Sequence, residues 1–180
     1  QLRLDDPLPV QYLRFLRRAV VGDFGRSIFS KRPVIDEIAD QLPSTLQLAG
    51  TAILIAAAVG LALGIAAAVR HNTWIDRLAM LVALGGVSMP SFWLGLILIF
   101  VFSLHLGWFP ATGHGGVSRL VLPAATIGLS YSAVIARLVR SSLLDVLRNN
   151  YIATARAKGL SEWLVVLKHG VGNALIPVTT

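Results

Sequence analysis

Three stretches of this sequence carry no charged side chain: Leu46 to Val69, Leu78 to Leu104 and Leu120 to Ala136. Runs of that length and apolarity belong in hydrocarbon. There, every backbone amide and carbonyl must be paired within the segment, which makes each run a helix. At 1.5 Å per residue the first reaches about 36 Å, enough to cross with some tilt, and the third about 26 Å, a marginal crossing. "GGVSMPSFW" interrupts the second, where Pro90 removes an amide donor and kinks the helix or ends it locally. Hydrophobic residues make up 55% of the 180 and charged residues only 14%, too apolar a balance for an ordinary soluble domain. The sequence therefore predicts an all-α, polytopic membrane helix bundle. It starts at Gln1 without methionine and stops at Thr180, where "NALIPVTT" opens a further apolar stretch. The expectation is a fragment with spans missing at both ends.

The charges lie between the runs. Residues 1–45 are polar to mixed. Within them Leu8, Tyr12, Phe15, Leu16 and Ala19 recur at helical spacing, with Arg14, Arg17 and Arg18 elsewhere, so an amphipathic helix is predicted at a membrane surface or against a partner. Pro7 and Pro9 stand at its start, where proline is tolerated. "GDFGRSIFSKRP" reads as a loop. The first span follows Pro43 with Ser44 and Thr45 as its cap, and "RHNTWIDR" (70–77) is a short hydrophilic loop. Residues 105–119 form another loop, in which Trp108 and Phe109 suit a headgroup interface. Pro123 falls in the first turn of the third span. Arg137 and Arg140 end that span, since an arginine at mid-bilayer costs about 2.5–3.5 kcal/mol on insertion scales.

The net charge of +7 fits cytoplasmic loops and anionic headgroups better than nucleic acid. Near the span ends, Arg26, Lys31, Arg32 and Arg119 oppose Arg70, Arg77, Arg137, Arg140, Arg148 and Arg156. That leans weakly toward a cytoplasmic C-terminal segment. In the first span Ala52, Ala56, Gly60, Gly64 and Ala68 recur every four residues; in the third, Ala124, Gly128, Ser132 and Ala136 do. Such stripes let helices approach closely in lipid, although alanine is also simply abundant here. Ser88, Met89, Pro90 and Ser91 are candidates to line a translocation path; the alternative is a kink that only shapes packing. No ionisable residue falls inside the predicted spans, which argues against ion-coupled transport and places the energy source elsewhere.

Catalytic chemistry is not indicated. There is no cysteine, hence no disulfide, thiolate metal site or thiol nucleophile. His71, His105, His114 and His169 lack metal-ligand spacing. Lys31, Lys158 and Lys168 lack the glycine frame of a phosphate-binding loop, and "GVGNAL" fails the dinucleotide fingerprint.

The segment after the third span has a different character. Leu143, Leu144 and Leu147 carry the third helix onward, and Asn149-Asn150 break it. Tyr151 to Lys158 is a short helix rich in alanine, ended by Gly159 as a left-handed cap. Arg156 and Lys158 sit favourably in its last turn. Ser161 then caps a second helix, with Glu162 in its first turn. Eight residues do not hold a helix alone in water, so the short helix needs a partner groove.

This segment resembles the cytoplasmic coupling (EAA) loop of ABC importer permeases, in the version found in B-type dipeptide/oligopeptide permeases. "TARAKGLSE", "KH" and "NALIPV" fit it, as do "LDDPLPVQYLRFL", "GDFGRSI", "SMPSFWLGL" and "LGWFPATG", so the likeness covers essentially the whole chain. The resemblance implies a type I importer permease of a bacterial inner membrane. It puts residues 1–45 outside the cytoplasm, residues 46–136 in three transmembrane helices and residues 137–180 in a cytoplasmic extension and coupling loop. One span would precede Gln1 and two would follow Thr180. It assigns contact with an ATPase to Tyr151, Ala153, Thr154, Ala155, Arg156, Ala157, Lys158, Gly159 and Leu160, with Gly159 as the turn. Ala153 stands where the general loop carries glutamate, Thr154 replaces its first alanine, and Gly172 replaces a proline; the helix–glycine–helix pattern is kept.

The implied partners are a second, homologous C-type permease, two ATP-binding subunits, an extracytoplasmic peptide-binding receptor and membrane lipid, with no nucleic acid. No cofactor is implied in this chain; ATP and magnesium belong to the partner ATPases. Movement of those ATPases would drive alternating access through the short helix. A nickel or other small-solute permease of the same family shares nearly the same loop. A non-transporting membrane anchor or assembly subunit would have the helices without an ATPase grip.

Overall fold

The structure, a computed structural model, describes residues 7–113 and 116–176. His114 and the end of "NALIPV" lie outside the described residues. The chain divides into two compact units, residues 1–47 and 48–180.

In the first unit, α1 spans Leu8–Val20. Pro7 precedes it and Pro9 lies in its first turn, where no amide is needed. Arg17 and Arg18 occupy its last turn, and none of its residues is buried. Gly22 then turns the chain at φ +81°. The following loop closes on itself through an isolated bridge between Arg26 and Pro33 and an amide bond from Val34 to the Gly25 carbonyl of 3.0 Å. Side chains tie the loop to the next helix: Ser30 donates to Glu37, and Arg32 pairs with Asp40 at 2.8 Å.

That helix, α2, spans Val34–Val69 and contains Pro43. The helix thus begins twelve residues before the expected span from Leu46. Asp36 and Glu37 fill the first turn of the longer helix. Pro43 is accommodated inside the helix, and Thr45 does not act as a cap: its hydroxyl donates back to the Gln41 carbonyl at 3.0 Å.

In the second unit, α3 spans Trp74–Ser88 and α4 spans Ser91–His105, the last seven residues of α4, Ile99–His105, being π-helical. The two helices are bent by 105°, far beyond a kink. Met89 is extended at φ −81°, ψ 130°, as the residue before a proline prefers, and Pro90 opens α4. The expected second span is therefore two helices. Beyond α4, the Trp108 ring contacts Phe102 at 5.7 Å between centroids.

α5 spans Val117–Leu147, with Pro123 inside it. At about 46 Å it takes in the expected span of 120–136 and continues to Leu147, as Leu143, Leu144 and Leu147 predict. Likewise α3 begins before Leu78, so Asp76, Arg77, Arg137 and Arg140 all belong to helices. α2 and α5 are long and apolar enough to cross a membrane; the bent α3–α4 pair passes only if taken together.

The core is built from small side chains. All nine residues of the two stripes are buried: Ala52, Ala56, Gly60, Gly64 and Ala68 on α2, and Ala124, Gly128, Ser132 and Ala136 on α5. A methyl group added at Gly60 would sit 2.7 Å from the Ile135 Cβ, at Gly64 2.7 Å from the Ala136 carbonyl oxygen, and at Gly128 2.7 Å from the Ile55 Cβ. α3 joins this seam through Ala83, packed with Ala133 and Ala136. Dispersion between closely approaching backbones holds such a bundle together.

Candidate functional site

α5 ends at Leu147, and Asn149, in extended conformation, leads into α6, Asn150–Ala157. Gly159 follows at φ +78° with open space around its Cα. A side chain there would meet strain in the backbone and no clash. Glu162–Leu164, π-helical Val165–Val171 and Gly172–Ala174 then succeed one another as a single helix, α7.

Ile152 and Ala155, one helical turn apart, are the buried residues of α6. They pack with Val165 of α7, and Val146, Leu147 and Leu160 close the cluster. α7 returns against α5, where Leu143 packs with Ala174 and with Ala68 of α2. The short helix is thus seated on its own chain by two side chains, which offsets its low intrinsic stability. The groove predicted to steady it is in part supplied from within.

The elbow between α6 and α7 is clipped by charge. Arg156 donates from Nε to Glu162 Oε2 at 3.0 Å and from Nη2 to Oε1 at 2.6 Å. The hydrogen bond from Arg156 holds the Glu162 carboxyl below the ordinary carboxylate value, against the opposing effect of partial burial. At the other end of α6 the Tyr151 hydroxyl accepts from Asn173 Nδ2 at 3.2 Å.

Of the residues predicted for ATPase contact, Tyr151, Ala153, Thr154, Arg156, Ala157, Lys158 and Gly159 are exposed, and Leu160 is half-buried. Ala155 is the exception. Packed against Val165, it belongs to the seat of the helix and not to its outer face. Arg156 has an internal partner in Glu162, a pairing across the glycine turn that neither residue's helix position signals. Ser88, Met89, Pro90 and Ser91 are gathered at the α3–α4 bend, all exposed. Among the described residues, no three histidine or carboxylate side chains are grouped to hold a metal ion.

A second polar cluster was not foreseen. Asp76, in the first turn of α3, is 3% exposed. Its Oδ1 accepts from Arg140 Nε at 2.6 Å and its Oδ2 from Arg140 Nη2 at 2.8 Å. Oδ2 also accepts the Asn72 amide at 3.0 Å, where Asn72 takes a left-handed φ of +63°. His71 Nδ1 lies 3.2 Å from both Asp76 Oδ2 and Arg140 Nη2. One ring nitrogen can donate to the carboxylate or accept from the guanidinium, not both. Both residues lie outside the three predicted spans, in the lengths of helix that extend beyond them, and there the two opposite charges neutralise one another. A signal existed: Asp76 is the sole acidic residue between Asp40 and Asp145, and a lone carboxylate among arginines beside apolar runs requires a cation.

Comparison with known proteins gives a consistent picture. The chain is 51% identical over all 180 residues to the glutathione transport system permease protein GsiC of Escherichia coli, and 51% and 49% identical to the proteins of that name from Shigella dysenteriae and Salmonella typhimurium. It spans 59% of the length of each of these relatives. Residues 60–180, which include the last ten residues of α2 and everything that follows, match a family described as binding-protein-dependent transport system inner membrane component. With buried small-residue seams, helices able to cross a membrane and a match over most of its length, the chain belongs to that family of inner membrane transport components.

Proposed function

We propose that this chain is part of the permease subunit of an ATP-driven importer, of the B-type found in peptide permeases, and that α6 is its coupling helix. The observation that carries this reading is the build of α6. Two inward side chains, Ile152 and Ala155, and the Arg156–Glu162 clip anchor it to its own chain. Tyr151, Ala153, Thr154, Ala157, Lys158 and Gly159 remain exposed. Small outward side chains admit a close-fitting groove, and an anchored helix passes on a push or pull that a flexible loop would absorb. The grip is that of two ATP-binding subunits, which bind ATP and magnesium and hydrolyse the nucleotide; this chain is not itself an enzyme. A second, C-type permease completes the path, and an extracytoplasmic receptor delivers the solute.

The solute is a di- or oligopeptide. Glutathione, which the relatives are named for transporting, is a tripeptide and falls in that class. Nickel or another small solute is the competing choice, and competition uptake by vesicles holding the full-length protein, its partners and its receptor separates the two.

The decisive variant is Ala157→Trp, which adds bulk to the outer face without touching the seat. In the full-length protein co-expressed with its partners, it is expected to lower the co-purified ATP-binding subunit at least about tenfold, a loss of some 1.4 kcal/mol in docking, with membrane insertion unchanged. Undiminished recovery of that subunit would instead favour a membrane anchor that no motor grips.

A further inference from the structure

We propose that Asp76 and Arg140 are positioning residues for the transport cycle: a buried clamp that fixes the α2–α3 turn to α5, so that α2, α3 and α5 follow α6 as one body. This rests on the reading of the chain as an importer permease.

Three successive positions on α5 hold three different parts of the chain. Leu147 packs in the cluster of Ile152, on α6. Leu143 meets Ala68 of α2 and Ala174 of α7. Arg140 holds Asp76 of α3, and through it the Asn72 amide of the turn. The first two contacts are apolar and non-directional, so neither by itself fixes an angle between its helices. The third has two parallel hydrogen bonds between planar charged groups, which fix distance and angle together. Fixing register is the best-attested use of a buried ion pair. Without the clamp, α2, α3 and α5 keep their packing but lose the contact that sets how far each may slip.

The test is a distance measurement on the full-length protein assembled with its partners. These 180 residues contain no cysteine; with any cysteine elsewhere in the assembly replaced, spin labels are placed at Trp74→Cys, at the start of α3, and Arg148→Cys, just beyond α5, where both side chains are exposed. The expected result is a single narrow distance, the same in the nucleotide-free assembly and in one trapped with ATP and vanadate. Adding Asp76→Asn should broaden that distribution at least about twofold on trapping, with Arg140→Lys, which keeps the charge but not the paired geometry, in between. A wild-type distance that changes on trapping, or an Asp76→Asn distribution as narrow as wild type, overturns the proposal. Should Asp76→Asn fail to assemble, Asp76→Leu with Arg140→Met, a neutral and apolar pair, replaces it with the same expected broadening. Failure of that double variant and of Arg140→Lys to assemble would assign the pair to folding alone and overturn the proposal too. A wild-type protein that retains no ATP-binding subunit would defeat the importer reading instead. That outcome is distinct, because it is scored on subunit recovery before any distance is taken.

Discussion

Two arginine–carboxylate pairs in this chain have almost the same geometry and opposite settings. Arg140 and Asp76 join helices 64 residues apart in sequence, with side chains 26% and 5% exposed. Arg156 and Glu162 are six residues apart across a glycine elbow, with side chains 43% and 59% exposed. In each pair Nε and Nη2 serve the two carboxylate oxygens. The first pair is held away from water, so losing either partner strands a charge. The second can trade its partner for water at little cost. Similar bonds therefore yield a clamp in the bundle and a releasable clip at the elbow, and burial alone makes the difference.

The largest effect should come from the clamp. Asp76→Asn is expected to destabilise the protein by about 3 kcal/mol, at the low end for a broken buried pair because Arg140 keeps some access to solvent; thermal unfolding in detergent reads this. A change below the effect of Arg156→Gln would erase the contrast. Next comes Gly64→Ala, whose methyl would meet the Ala136 carbonyl oxygen at 2.7 Å. Backbone cannot yield as a flexible side chain can, so a loss of about 2 kcal/mol is expected, read in the same assay.

At the elbow the effects shrink. Gly159→Ala should cost about 1 kcal/mol, from the left-handed backbone alone since nothing crowds the position. Gly159→Asn should cost less, and equal losses for both would point to a clash. Arg156→Gln is smallest, under about 1 kcal/mol. Its pH dependence has a definite sign. Glu162 titrates lower in the folded chain than in the unfolded one. The clip's contribution is therefore full above the ordinary carboxylate value and is lost as pH falls through the lowered one. In the wild type, amide hydrogen exchange at the elbow should quicken on acidification through that window; in Arg156→Gln it should not.

The two regions also differed in how far their residues announced themselves. Gly60, Gly64 and Gly128 were legible because helical spacing of small residues has one strong packing consequence in lipid. Gly159 was legible because an alanine-rich helix ending in glycine has one common cap. The Asp76–Arg140 pair was not, because pattern analysis ends a span at a charge and cannot see a second charge 64 residues away that cancels it. Pro43 misled for a related reason: local preference put a helix start after it, while the helix begins at Val34 with its acidic first turn. The bend at Met89 and Pro90 was located but not its 105°, which depends on where α4 finds α5. The inward face of α6 was written in Ile152 and Ala155, three residues apart, but eight residues are too few for periodicity to stand out.

The α2–α5 seam has one more consequence. Where the backbones leave no room for an extra methyl carbon at Gly60, Gly64 or Gly128, a water molecule of comparable size finds none either. At those three positions the joint is dry, closed by direct contact of one helix's backbone with the backbone and side chains of its neighbour.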